Sequence, residues 1–168
     1  DDGMDLPQRQ QFLGIIVAEA ERLSRLVNQV LDMAKIEAGH AEWNEEAVDL
    51  REVLEQAAGS IGEMYRERGV ALALDLPPSV GPVGADADRI TQVVLNLLSN
   101  ALKYAPREGG RVQMRLRDAG PSVEVGVEDT GPGIPEDQQA MVFEKFRQVA
   151  GDDHYRPGGT GLGLPISR

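Results

Sequence analysis

Between Pro7 and Ala38, apolar side chains recur at Phe12, Ile16, Leu23, Leu26, Val30 and Met33, in steps of four and three interrupted by Glu19. Such a seam belongs to a helix lying against other helices, as in a coiled coil or helical hairpin. A second stripe, Leu13, Ala20, Val27 and Ala34, repeats at every seventh position. Two stripes on one helix suit more than one neighbour, as in a four-helix bundle. The competing reading is a single amphipathic helix resting on its own domain. Gly39 is the expected stop, because glycine adopts the left-handed conformation that ends helices.

Beyond a linker at His40–Glu46 the period changes. The pattern predicts a short strand near Val48, a helix over Leu50–Arg68 stopped by Gly69, and a strand over Val70–Leu76 closed by Pro77-Pro78. A Gly/Pro-rich connection leads to a helix over Asp86–Tyr104, with Ile90, Val93, Val94, Leu97, Leu98 and Ala101 on its apolar face. Arg111–Arg117 and Ser122–Glu128 alternate as two strands joined by a turn at Asp118–Pro121. From Asp129 glycine and proline dominate, apart from a short helical piece around Glu136–Phe146 and an apolar segment from Pro165, where a helix could start. With only 4 % aromatic residues, the core must be built from Leu, Val, Ile and Ala. This order predicts an α+β fold, a two-layer sandwich with helices covering one face of a largely antiparallel sheet.

Composition removes several functions. The formal charge of −11 leaves no basic footprint for nucleic acid. A polyanionic ligand would need a local cation or a metal ion working against that field. The absence of cysteine excludes disulfides, thiolate zinc sites and thiol catalysis. The apolar runs are too short to span a bilayer.

Three stretches carry chemistry. Asn96, Asn100 and Lys103, in the helix that ends at Tyr104, are spaced to share one face. A carboxamide oxygen suits a magnesium ion already held by phosphates, and Lys103 can reach a phosphate. Alone, the stretch is better read as a solvated polar face. Asp129-Thr130-Gly131-Pro132-Gly133 follows a strand, where a carboxylate can accept from an exocyclic amine and glycines let the backbone pass close to a flat ring. It is also good turn chemistry. Gly158-Gly159-Thr160-Gly161-Leu162-Gly163 offers a glycine run with exposed amides, a possible phosphate cradle. It lacks the Lys-Ser/Thr ending of a P-loop.

In this order the three stretches resemble the histidine-kinase ATPase family, which shares its fold with DNA gyrase, mismatch-repair and heat-shock chaperone ATPases. Asn96–Tyr104 resembles the asparagine box, Asp129–Gly133 the first glycine box and Gly159–Gly163 the second. Phe143-Glu144-Lys145-Phe146-Arg147-Gln148 is similar to the phenylalanine box. The leading helix, with Arg22-Leu23-Ser24-Arg25-Leu26 and Glu37-Ala38-Gly39, resembles the second helix of the kinase dimerisation domain. The resemblance implies residues 1–40 as part of a dimerisation and histidine-phosphotransfer region and 41–168 as an ATP-binding catalytic domain without its usual carboxyl-terminal end.

It further implies that Asn100 coordinates Mg2+, Asn96 supports the metal–phosphate region, Lys103 contacts phosphate and Tyr104 lines the ATP. Asp129 would bind the adenine amine beside Gly131 and Gly133. Arg147–Gly158 would form a lid whose base is packed by Phe143 and Phe146. Gly159, Gly161 and Gly163 would hold the phosphates, with Thr160 and Leu162 also among the nucleotide-binding residues. The implied activity is transfer of the γ-phosphoryl to a histidine, for relay to the receiver domain of a response regulator. The implied setting is a cytoplasmic homodimer joined to a membrane only through segments absent from this chain.

Hydrolysing relatives place a glutamate where this chain has Asn96, and an amide is no general base, which favours transfer over hydrolysis. The chain departs from the family in its histidines, because neither His40 nor His154 has an acceptor's surroundings. Pro165 also stands where a small residue is usual. A nucleotide-sensing or dimerisation module without catalysis is the second reading, and an ATPase of the gyrase or chaperone type the third.

Overall fold

The computed structural model describes residues 5–40, 42–78, 80–147 and 160–167. The chain divides into two compact units, Asp1–Ala41 and Glu42–Arg168. The first unit is the helix α1, Leu6–Glu37. The Asp5 carboxylate accepts from the Gln8 amide at 2.8 Å to open it, with a proline in the first turn where its missing N–H costs nothing. Gly39 ends it as expected, and the His40 amide closes back on the Lys35 carbonyl at 2.9 Å. Most of both apolar stripes lies open on this helix, with Phe12 52 %, Ile16 61 % and Leu13 60 % exposed, while Leu26 and Met33 are half-buried.

The second unit starts with β1, Glu46–Val48, and α2, Leu50–Arg68. Asp49 caps α2 by accepting from the Arg51 and Glu52 amides, and Gly69 at φ 71° turns the chain out of it. Then come β2, Ala71–Asp75, β3, Val83–Ala85, and α3, Ala87–Tyr104. Asp86 opens α3 and Pro106 follows its buried cap Ala105, so the helix cannot continue. Strands β4, Arg111–Asp118, and β5, Val123–Asp129, precede two 3-10 turns at Glu136–Gln138 and Met141–Phe143 and a short helix α4, Gly163–Ile166.

Two sheets form. One pairs β1 with β3 antiparallel, and the other has the order β2-β4-β5. Within it β4–β5 is antiparallel but β2–β4 is parallel, from Ala71 opposite Arg111 to Asp75 opposite Arg115. A largely antiparallel sheet was expected; the crossover through α3 returns β4 in the same direction as β2 and makes this sheet mixed. β3 was not anticipated either. It is three residues in a glycine-rich connection, and its pairing partner Glu46–Val48 is remote in sequence.

The core lies between the α2/α3 layer and the β2-β4-β5 sheet. Leu54, Ala57, Ala58, Ile61 and Tyr65 of α2 meet Val94, Leu98, Ala101 and Leu102 of α3 over Val112, Met114 and Leu116 of β4. The strand residues are alternate, as the two-residue period demands. Full burial of a leucine such as Leu54 or Leu98 contributes about 1.5–3 kcal/mol. The helix expected around Glu136–Phe146 is replaced by the two 3-10 turns. Met141, Val142 and Phe143 are consecutive, so they cannot share one helix face, and neither turn has a side-chain cap to offset nucleation. α4 begins at Gly163, two residues before Pro165, which sits in its first turn where helical amides lack intrahelical acceptors.

Candidate functional site

Helix α3 is the spine of the site. Its apolar face is anchored in the core, which fixes the opposite, more polar face carrying Asn96, Asn100 and Lys103. At its carboxyl end the Lys103 ammonium lies 4.8 Å from the centre of the Tyr104 ring, a cation–π contact. The Lys103 carbonyl accepts from Arg68 Nη2 at 3.0 Å, tying the end of α3 to the end of α2. Asn100 is half-buried.

Strand β5 delivers Asp129, exposed at its last position. Its Oδ1 accepts from the Gly131 amide at 2.7 Å, so the carboxylate is held by its own turn. The Thr130 amide donates to the Arg111 carbonyl at 3.1 Å, and Thr130 Oγ1 accepts from the Arg111 amide at 3.0 Å, which locks the strand end. Gly131 is where this turn meets α3: a Cβ there would stand 3.0 Å from the Tyr104 carbonyl and 2.6 Å from Asp129 Oδ1. Gly133, two residues on, is exposed.

The other end of the asparagine stretch meets the last glycine run. Asn96 Nδ2 donates to the Gly163 carbonyl at 3.3 Å and to Ser167 Oγ at 3.4 Å. The Phe146 amide donates to the Gly161 carbonyl at 3.0 Å. A Cβ on Gly161 would come within 2.8–2.9 Å of the Phe146 backbone and the Arg147 carbonyl. The four motifs therefore form one connected set: Gly131 against Tyr104, Asn96 against Gly163, and Gly161 against Phe146.

Phe143 and Phe146, expected at the base of a lid, are 42 % and 67 % exposed. Phe146 also has φ 61°, which turns the chain so that its amide, rather than its ring, makes the contact with Gly161. Leu162, a candidate nucleotide-binding residue, has its side chain fully buried, and its amide donates to Thr160 Oγ1 at 3.2 Å. Arg147 pairs with Glu144 at 3.0 Å, both more than half exposed, a contact of little energetic weight. Gly159, the lid residues 148–158 and His154 lie outside the described residues. Ser167 was missed, although its place four residues after Gly163 puts both on one helix face.

Two groups near these elements have displaced acidities. The Tyr65 phenol is pushed well above its ordinary range, first by burial and then by the negative Asp129. The Asp86 carboxyl is held below the ordinary range, first by the Asn44 amide and then by the Arg89 amide, both donating to it. Among the described residues no group of three or more His, Cys, Asp or Glu side chains could hold a metal ion. A metal here would draw its ligands mainly from phosphate oxygens, with a neutral carboxamide such as Asn100 as the protein's share, which is chemically sound for magnesium. Two cavities, of about 310 and 420 Å³, are lined by residues such as Met64, Arg68 and Arg107, or Pro77, Leu116 and Arg117, none of them candidates for the site.

Comparison with known proteins agrees with this arrangement. Residues 85–168 match the model of the histidine kinase-, DNA gyrase B- and HSP90-like ATPase family, and residues 2–39 match that of the His Kinase A (phospho-acceptor) domain. The hybrid signal transduction histidine kinase D of Dictyostelium discoideum is 35 % identical over 99 % of this chain, which spans 11 % of that protein. The structure of full-length ShkA in complex with AMPPNP superposes with a TM-score of 0.78 at 30 % identity, covering 98 % of this chain and 33 % of that one. The histidine kinase ThkA in complex with the response regulator protein TrrA gives 0.69 at 25 % identity, covering 92 % and 45 %. Among the described residues no helix is long and apolar enough to cross a membrane. A chain whose four motifs meet in this way, and which matches both models in this order, belongs to the histidine kinase-like ATPase family, as the catalytic domain of a sensor histidine kinase.

Proposed function

We propose that residues 41–168 bind MgATP and, in the intact protein, transfer its γ-phosphoryl to a histidine, while residues 1–40 supply one helix of the dimerisation region. The single observation that carries this reading is the connected set of motifs, in which Tyr104 meets Gly131 and Asn96 meets Gly163 across one polar helix face. The family match and the likeness to a kinase bound to AMPPNP support it.

In this reading Asp129 accepts from the adenine amine through the carboxylate that its turn already orients. Gly131 and Gly133 leave room for the ring, and Tyr104 lines it. Lys103 leaves its perch on Tyr104 to reach a phosphate. Asn100 offers its carboxamide oxygen to magnesium, which when bound neutralises charge on the phosphates. The Gly161–Gly163 segment contacts the phosphate chain with Thr160, and Gly159 extends it. Asn96 cannot take a proton from water, and its amide is engaged with Gly163, which favours transfer over hydrolysis. The bond from the γ-phosphorus to the bridging oxygen of ADP breaks as a bond to an imidazole nitrogen forms. The acceptor imidazole is supplied by neither His40 nor His154. The exposed stripes of α1 pack in a homodimer, and a response-regulator receiver domain takes the phosphoryl onward, as the likeness to ThkA with TrrA supports. This part works on the cytoplasmic side of any membrane to which the whole kinase is tied.

Asn100→Ala tests the core of the reading. MgATP affinity of this chain should fall at least about tenfold, the loss of roughly one charge-assisted contact, while adenosine affinity holds. Equal loss of both places the residue wrongly. Incubation with γ-labelled ATP and magnesium should leave this chain unlabelled and put acid-labile label on a separately supplied histidine-bearing helix. Acid-labile label on the chain alone, lost in His40→Ala or His154→Ala, overturns the acceptor assignment. Steady phosphate release instead of phosphohistidine favours the ATPase reading.

A further inference from the structure

Ser167 lies beyond the glycine run and outside the four motifs, yet it touches both ends of the site's most distant pairing. Its Oγ donates to the Gly163 carbonyl at 2.8 Å and accepts from Asn96 Nδ2 at 3.4 Å. The same Asn96 nitrogen donates to the Gly163 carbonyl at 3.3 Å. We propose that Ser167 is a positioning residue, which with Asn96 clasps the Gly163 carbonyl and holds the Gly161–Gly163 segment at a fixed distance from α3.

The Gly163 carbonyl also accepts from the Ser167 backbone amide at 3.2 Å, an amide shared with the Leu164 carbonyl at 3.1 Å. A serine hydroxyl has one proton, spent on Gly163, and lone pairs, one of which takes Asn96. The Asn96 amide has two protons, one for each partner, and its oxygen is left for other work. A back-bond from serine to the carbonyl four residues earlier is common in helices and by itself means little. The distinguishing feature is that Asn96, 71 residues away from Ser167, joins the same carbonyl. Its fit is close but unstrained: a Cβ on Gly163 would stand 3.6 Å from the Asn96 carboxamide. The opposite end of the segment is pinned where the Phe146 amide donates to the Gly161 carbonyl. Three glycine-rich residues are therefore fastened at both ends, by a backbone bond at one and by two side chains beside the helical Ser167 amide at the other. A carboxylate at position 96 would have no proton to give and would face the Gly163 carbonyl with negative charge. The clasp thus requires the amide.

This inference rests on the nucleotide reading, because the segment it holds is the one assigned to the phosphates. The test compares MgATP and adenosine affinities of the full 168-residue chain, by displacement of a fluorescent ATP analogue. Ser167→Ala should weaken MgATP about fivefold, the loss of one neutral hydrogen bond, and leave adenosine within about twofold. Ser167→Thr, which keeps the hydroxyl, should retain wild-type MgATP affinity. Asn96→Asp should weaken MgATP more than Ser167→Ala does, again sparing adenosine. Adenosine affinity doubles as the check that each variant is folded. If Ser167→Ala binds MgATP like the wild type, or loses both ligands by the same factor, or is not rescued by threonine, the clasp has no positioning role. A wild-type chain that fails to bind MgATP overturns the nucleotide reading itself, and with it the clasp.

Discussion

The Tyr65 hydroxyl donates to the Leu98 carbonyl at 2.8 Å, joining α2 to the middle of α3 beneath the residues that form the site. Tyr65 is almost fully buried, so this phenol has no water to fall back on. Tyr65→Phe should lower the unfolding free energy by about 1–1.5 kcal/mol, read from urea denaturation. The pH dependence has a definite sign. The folded phenol holds its proton to higher pH than the ordinary value near 10, so the unfolded chain loses its proton first. The stability this group contributes is complete below about pH 10 and is lost as pH rises through the folded value. Tyr65→Phe should flatten that alkaline decline, and an unchanged decline would show that other groups cause it.

At the opposite end of α3, Asp86 accepts from the Asn44 and Arg89 amides at 3.0 and 3.1 Å. Because the folded carboxyl gives up its proton more readily than an ordinary one, the unfolded chain takes up the proton first as pH falls. The stability from this cap should be present above the ordinary carboxylate range, about pH 4, and disappear as pH drops through the folded value. Asp86→Ala should lower the thermal midpoint at neutral pH and shrink the acid-induced loss. A variant with an unaltered acid limb would remove Asp86 from that role.

Asp129→Asn replaces the acceptor at the end of β5 with a group that can present a donor. If the carboxylate takes the adenine amine, ATP should weaken more than tenfold, about 1.5–3 kcal/mol, and the preference for ATP over GTP should narrow. Isothermal titration with both nucleotides is the measurement. Unchanged affinity and base preference would move the adenine elsewhere.

Gly161→Ala places a methyl group within 2.8–2.9 Å of the Phe146 and Arg147 backbone, at φ 68° where a side chain is already disfavoured. The left-handed backbone alone costs about 1–2 kcal/mol, and the contact from the Phe146 amide must give way. MgATP affinity should fall about tenfold or more, and the chain should still unfold cooperatively in urea, its midpoint lowered by no more than that backbone cost, because the core between α2, α3 and the sheet is untouched. A full loss of folding would instead make Gly161 part of the core's support.

The sequence by itself determined what local chemistry decides. Asp49 and Gly69 set both ends of α2, Asp86 and Pro106 those of α3, and Gly39 the end of α1, because a cap satisfies backbone groups within a few residues of itself. The alternation in β4 and the apolar face of α3 likewise follow from the periods of strand and helix, and the four motifs could be read as short words. Tertiary structure alone decided what depends on partners remote in the chain. The pairing of β3 with β1 and the parallel match of β2 to β4 carry no local signal. Leu162 is fully buried while Phe146, bonded to the same segment through its amide, is 67 % exposed. Asn96 could be read as polar and helical, but only the arrival of Gly163 and Ser167 beside α3 gave its amide two acceptors. A side chain's chemistry is written in its residue type; which groups stand within 3.5 Å of it is set by the packing of the whole fold.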